Sequence, residues 1–213
     1  MELTLYYLSG SPYAWRVWLA LEYKQIAYTL KNMSYDAGDF TDPVFCNLNP
    51  RRRVPVIVED GFSLYESAAI VEYLEDREPR EPRLFAADAR RRAVQRRMIR
   101  EADQYFATPL EELVGAVLFT PRERWSEQQI ASAYADVRKE LAVWESQIAG
   151  DFLAGELSAA DFTLFPQIAL VQRMGKRKPD LLTADLLGPK MAGWMQRMQA
   201  LPVVRKTWPP HWQ

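Results

Sequence analysis

The sequence predicts an α/β unit over about the first eighty residues and an all-helical unit after it. Three observations carry that expectation. Hydrophobic periods of two and of 3.6 residues alternate up to residue 74, a proline-broken charged stretch follows at 76–88, and beyond it only helical spacing is found. The boundaries read from this pattern are 1–78, a linker at 79–88, and 89–213.

Taken in order, Leu3, Leu5 and Tyr7 alternate as a strand, and Ala14, Val17, Trp18 and Leu21 follow at helical spacing. Ile26, Tyr28 and Leu30 alternate again, which completes a strand–helix–strand unit. A polar stretch with Gly38, Asp39 and Asp42 reads as irregular or as a short helix. Val54-Pro-Val-Ile-Val58 and Phe62-Ser-Leu-Tyr65 are joined by Asp60-Gly61, the strongest short hairpin signal. A helix opens near Ser67. In the second half, residues 89–119, 126–149, 158–174 and 189–201 carry helical spacing. Ser158 and Asp161 form a variant capping box there, flanked by Leu157 and Phe162 as a hydrophobic staple, a signal for folding and not for function.

Composition removes several classes of chemistry. With one histidine, His211, and one cysteine, Cys46, neither a His- or Cys-built metal site nor a Ser-His-Asp triad is expected, and no internal disulfide can form. No Gly-x-Gly-x-x-Gly or Walker-type loop is present. The net charge of −1 gives no global pull toward nucleic acid, no apolar run approaches a membrane span, and Glu2 departs from a signal-peptide plan. A cytoplasmic setting without metal, nucleic-acid or membrane partners is the expectation. The arginines at 90, 91, 92, 96, 97 and 100 spread around their helix and read as a solvated or dimer-facing surface.

The candidate site residues each have a structural and a functional reading. Ser11 before Pro12 is a helix N-cap with proline in the first turn, yet a hydroxyl beside free backbone amides also suits an anion. Pro55 cannot donate to a ladder, so Val54 offers a free N–H and C=O to an extended, peptide-like ligand. Glu66-Ser67 either caps a helix or binds an ammonium and a carboxylate. Arg51-Arg52-Arg53 is a solvated loop or a source of positive charge.

The order of these signals resembles the cytosolic glutathione transferases of the serine type, zeta- or theta-like, over nearly the whole chain. The residues that carry it are Ser11, Asn49-Pro50, Val54-Pro55, Asp60-Gly61, Glu66-Ser67 and Ser158-x-x-Asp161. The resemblance implies a thioredoxin-like N-terminal domain, a helical C-terminal domain carrying the electrophile site and dimer contacts, and a homodimer. It also implies glutathione as co-substrate, with Pro55 in cis, Val54 pairing with the cysteinyl part, Glu66 and Ser67 holding the γ-glutamyl end, and Ser11 stabilising the thiolate. Trp15-Arg16-Val17 looks most like the zeta class, but Tyr13 stands where that class carries a cysteine, which argues against its isomerase activity. Arg52 fills a place the family often gives to glycine, and Asp39 falls where a helper residue is usual, so Arg52 or Arg53 is expected to hold the glycyl carboxylate. Tyr13, Tyr105, Leu113 and Phe119 are candidates to line the electrophile site, with Trp208 and Trp212 closing it and Asp103 reaching glutathione across a dimer interface; core packing is the competing reading for each. The functions implied are conjugation of glutathione to hydrophobic electrophiles, as in detoxification, or else isomerase, dehalogenase or ether-cleaving chemistry, or a non-catalytic use of the fold.

Overall fold

The computed structural model describes residues 2–181 and 185–212. It divides into two compact units, Met1–Phe85 together with Leu201–Gln213, and Ala86–Ala200.

The first unit is built on a four-stranded sheet of β1 (Leu3–Tyr7), β2 (Thr29–Asn32), β3 (Val56–Glu59) and β4 (Phe62–Tyr65), in the order β2-β1-β3-β4. β1 and β2 run parallel, joined through α1 (Pro12–Tyr23); β3 is antiparallel to both β1 and β4. Leu3, Leu5 and Tyr7 are buried, as their alternation requires. Asp60 (φ 48°) and Gly61 (φ 89°) both take positive φ, the backbone of a type I′ hairpin.

α1 buries more of its circumference than its sequence stripe suggests. Trp15 is 1% exposed, whereas the expected core residue Trp18 is half-buried and donates its indole N–H to the Tyr28 hydroxyl. The reason is that α1 packs against α3 (Ser67–Arg77) and also against α9 (Pro202–Thr207). β2 begins later than its alternation implied. Gln25 turns with φ 56°, and the Ile26 amide bonds back to the Leu21 carbonyl, so Ile26 buries itself as the end of α1 and pairing begins only at Thr29. The polar stretch forms a 3₁₀ turn, Asp39–Thr41, and the short α2 (Pro43–Leu48), capped by the Asp42 carboxylate on the Val44 amide at 2.8 Å.

The last residues of the chain were assigned by sequence to the helical half, yet they pack on the sheet unit. Trp15 Nε1 donates to Thr207 Oγ1 at 2.7 Å, and the Trp15 ring meets Trp208 and Trp212 edge-to-face at 5.3 and 5.6 Å. The start of the expected exposed linker is also tied down. The Lys24 ammonium, its side chain 1% exposed, binds Glu75 Oε2 at 2.8 Å and the carbonyls of Arg80 and Pro82, while the Leu84 amide donates to the same carboxylate oxygen at 2.9 Å. Leu84 and Phe85 are accordingly buried.

The second unit consists of α4 (Ala89–Glu101), a π-helical turn at Ala102–Phe106, α5 (Ala107–Val117), α6 (Glu127–Gln147), α7 (Ala159–Arg177) and α8 (Pro189–Ala200). The helix expected over 89–119 is thus one long element widened at its middle. α7 is buried without interruption from Ala159 to Val171 and packs on α4, α5 and α8, so it is the central helix of this unit. Asp161 is fully buried near its N-terminus, where its carboxylate accepts from the amides of Leu153 and Ser158, the Ser158 hydroxyl and Trp194 Nε1, all between 2.8 and 3.1 Å. Burial pushes its pKa up to about 6 despite those hydrogen bonds. Around α4 the arginines lie on the surface, Arg97 pairing with Glu101 and Arg91 with Glu156.

Candidate active site

Strand register brings the candidate residues of the first unit to one end of the sheet. Tyr6 lies opposite Val56, and Val56 opposite Tyr65. One step beyond that row, β1 leads into the turn before Ser11, β3 is preceded by Val54-Pro55, and β4 gives way to Glu66-Ser67. Segments more than forty residues apart in sequence therefore meet through pairing alone. A cluster of Met33, Phe40, Phe45 and Val56, with Tyr6, Leu8, Leu48, Val54 and Tyr65 packed around it, supports this end of the sheet.

Ser11 is the N-cap of α1, and its Oγ accepts from the Ala14 amide at 3.3 Å. A hydroxyl has one hydrogen to donate, and accepting the cap bond leaves that hydrogen uncommitted. The cap and the anion-stabilising readings are therefore compatible. Val54–Pro55 is cis, and the ladder starts only at Val56, so the Val54 backbone stands outside it.

Glu66 takes φ 71° and is exposed at the N-cap position of α3, with Ser67 buried just behind it. Ser67 has a partner that sequence reasoning did not anticipate. Arg16, 2% exposed, donates through Nη2 to the Ser67 hydroxyl, which again leaves the serine's own hydrogen to donate. The Arg16 guanidinium also lies 5.8 Å from the Tyr13 ring centroid. Arg16 belongs to the Trp15-Arg16-Val17 signature, but only the fold reveals which hydroxyl it reaches.

The basic loop is organised by Asn49, 3% exposed. Its Oδ1 accepts from the Arg51 amide at 3.0 Å and its Nδ2 donates to the Arg53 carbonyl at 2.7 Å. An Asn before proline is an Asx-turn signal that points to such a role. Arg52 adopts φ 53°, the left-handed backbone that explains why glycine suits this place; Arg52 and Arg53 are both exposed. The Asp39 carboxylate is engaged at home, accepting from the Ser34 amide at 2.8 Å.

The apolar candidates separate. Leu113 is 0% exposed on α5 and is a core residue, not a pocket wall, because α5 buries that face against α6 and α7. Tyr105, 57% exposed, and Asp103 lie in the π-helical turn, and Phe119, 75% exposed, follows the end of α5. Trp212 is 5% exposed and meets Trp15 and Trp208 edge-to-face, so this pair packs on α1 where closure of a pocket was expected. Among the described residues there is no group of three or more His, Cys, Asp or Glu placed to hold a metal ion, and no helix long and apolar enough to cross a membrane.

Comparison with known proteins bears on the same segments. Residues 5–82 match the glutathione S-transferase N-terminal domain, and residues 127–197 match the glutathione S-transferase C-terminal domain. The chain belongs to the glutathione S-transferase family. This family member is 34% identical over 174 residues to maleylacetoacetate isomerase of Mus musculus, covering 79% of this chain and 78% of the relative. It is 27% identical over 218 residues to glutathione S-transferase A of Pleuronectes platessa, covering 99% and 93%. Among solved structures, a glutathione S-transferase from the Antarctic clam Laternula elliptica superposes with a TM-score of 0.83 at 30% identity, covering 100% of this chain and 94% of the other. A Pseudomonas putida glutathione transferase solved with glutathione disulfide bound has a TM-score of 0.85 at 21% identity, over 97% and 90%.

Proposed function

We propose that the chain is a glutathione transferase that joins the glutathione sulfur to hydrophobic electrophiles, with Ser11 stabilising the thiolate. The observation that carries this reading is the convergence at one sheet end of a serine on a helix N-terminus, the Val54 backbone outside the ladder and a second serine on another helix N-terminus. Each group has a matching part of the tripeptide. The Val54 backbone pairs with the cysteinyl unit. Glu66 accepts from the γ-glutamyl ammonium, and Ser67, its oxygen already engaged by Arg16, donates to the adjoining carboxylate. Arg52 or Arg53 holds the glycyl carboxylate from the loop that Asn49 shapes.

A free thiol has a pKa near 8.5, so little of it is ionised at neutral pH. Lowering that value by about two units takes about 2.7 kcal/mol of preference for the anion. A hydrogen bond from the Ser11 hydroxyl to sulfur, added to the positive end of α1, is of that size. The thiol proton passes to water as the anion forms; the thiolate then attacks the electrophilic carbon, the C–S bond forms and the leaving group departs with its electron pair. Ser11 remains protonated throughout, so no histidine base is required. We place this activity in the cytoplasm, in a homodimer acting on foreign electrophiles, as the single cysteine and the family resemblance suggest. Tyr13 is the first unit's candidate for electrophile contact; in the second unit Tyr105 and Phe119 lie at opposite ends of α5, about 20 Å apart at 1.5 Å per residue, so only one of them can serve.

The test is Ser11→Ala. The cap bond is long, so the stability cost is about 0.5–1 kcal/mol, while conjugation of an aryl halide should fall at least about tenfold. Equal rates in the two proteins would leave Ser11 as a cap only. Retention on immobilised glutathione separates a glutathione binder from an adaptor use of the fold. The isomerase reading is favoured by the names of the relatives and opposed by Tyr13; direct assay with maleylacetoacetate decides it.

A further inference from the structure

The chain's single histidine lies near its C-terminus, yet the fold returns it to the segment that presents Ser11. His211 Nδ1 and the Ser9 hydroxyl are 3.0 Å apart across 202 residues of sequence. Ser9 and Gly10 are the central residues of a turn closed by the Ser11 amide on the Leu8 carbonyl at 3.0 Å, with Gly10 at φ 87°. The tail lies flush on that turn. A Cβ placed on Gly10 would come within 3.1 Å of His211 Nε2 and of Trp212 Nε1. Ser9 also shares a side-chain hydrogen bond with Tyr7 at the end of β1. The tail itself is anchored on α1 through Trp15, by the bond to Thr207 and the edge-to-face contacts with Trp208 and Trp212.

We propose that His211 is a positioning residue for Ser11, holding the Ser9-Gly10 turn so that the Ser11 hydroxyl is aimed at the substrate sulfur. The inference rests on the Ser11 reading above and adds to it a second, remote determinant of the same step. The physical basis is that a turn is set by few constraints. Ser11 has two backbone bonds, its amide to the Leu8 carbonyl and its carbonyl from the Trp15 amide at 2.9 Å, and one long cap bond from Ala14; none of the three acts on Ser9. The contact of Ser9 with His211, with the tail against Gly10, removes the freedom this leaves the turn. A hydroxyl that must meet a sulfur anion at hydrogen-bond distance is sensitive to shifts of well under an ångström.

The experiment measures kcat, KM for glutathione, and the pKa of bound glutathione thiol from the ultraviolet absorption of its thiolate. It compares the parent with His211→Leu, His211→Asn, Ser9→Ala and Ser11→Ala. His211→Leu should lower kcat about fivefold and raise the bound-thiol pKa, with KM for glutathione nearly unchanged, since no backbone contact of the tripeptide is altered. His211→Asn offers a polar atom near the place of Nδ1 and should restore most of the loss. The double variant Ser9→Ala/His211→Leu should lose well short of the product of the two single losses, because both remove the shared Ser9–His211 contact. A folded His211→Leu protein with unchanged kcat and bound-thiol pKa, beside a Ser11→Ala protein whose thiol pKa has risen, overturns the role of His211 and leaves Ser11 standing. A thiol pKa that does not move even in Ser11→Ala overturns both.

Discussion

Replacing Asp161 by alanine tests how the second unit is held together. Four donors converge on this one carboxylate, three of them N–H groups of Leu153, Ser158 and Trp194 that have no rotational freedom to find another acceptor. A buried donor left unsatisfied costs about 1–3 kcal/mol, so three cost about 6 kcal/mol at the middle of that range. Against this stands the net cost of holding the group ionised there, desolvation less the hydrogen bonds it accepts. The carboxyl pKa rises from 3.8 to about 6, which at neutral pH corresponds to about 3 kcal/mol against the folded state. The net loss for Asp161→Ala at neutral pH is therefore about 3 kcal/mol, or about 6–12 °C in Tm for a chain of this size. The sign with pH follows from the same shift. Between pH 3.8 and about 6 the folded protein holds the proton more tightly than the unfolded chain, so this residue's contribution is greatest below that window and declines as pH rises through it. The gap between parent and variant should thus be wider at pH 4.5 than at pH 7.5. Thermal unfolding followed by tryptophan fluorescence reads both quantities. A drop below about 3 °C, or a gap that widens as pH rises, would refute the reasoning.

Other perturbations act on the first unit. Asn49→Ala removes both bonds that shape the basic loop, so KM for glutathione should rise several-fold while kcat is nearly kept, as steady-state kinetics will read. Arg16→Met takes away the guanidinium that engages Ser67; KM for glutathione should rise about tenfold, the scale of a hydrogen bond to a charged group, and an unchanged KM would remove Arg16 from the binding account. Glu75→Ala leaves the Lys24 ammonium buried without its carboxylate and the Leu84 amide without an acceptor. Urea unfolding should show a loss of about 3–5 kcal/mol.

The parts of the fold legible in sequence were those decided among neighbours. The Asp60-Gly61 hairpin, the Ser11-Pro12 helix start and the Ser158/Asp161 box each involve residues within four positions of one another, and each formed where its chemistry indicated. β2 was misplaced by three residues because Ile26 alternates with Tyr28 and Leu30 but serves the end of α1. Leu113 carries the same apolar character whether it lines a pocket or fills a core, and sequence spacing does not distinguish the two.

The sequence by itself determined the order of elements, the helix caps and the absence of a histidine or cysteine cluster for chemistry, since all of these are local or compositional. Tertiary structure alone decided that the Ser11 turn shares one sheet end with the two ends of the Asp60-Gly61 hairpin, that Arg16 stands behind Ser67 across 51 residues, and that His211 rests on Ser9 across 202. Such contacts are set by strand register and by which faces remain to be buried once the whole chain has collapsed. No window of neighbouring residues contains that information.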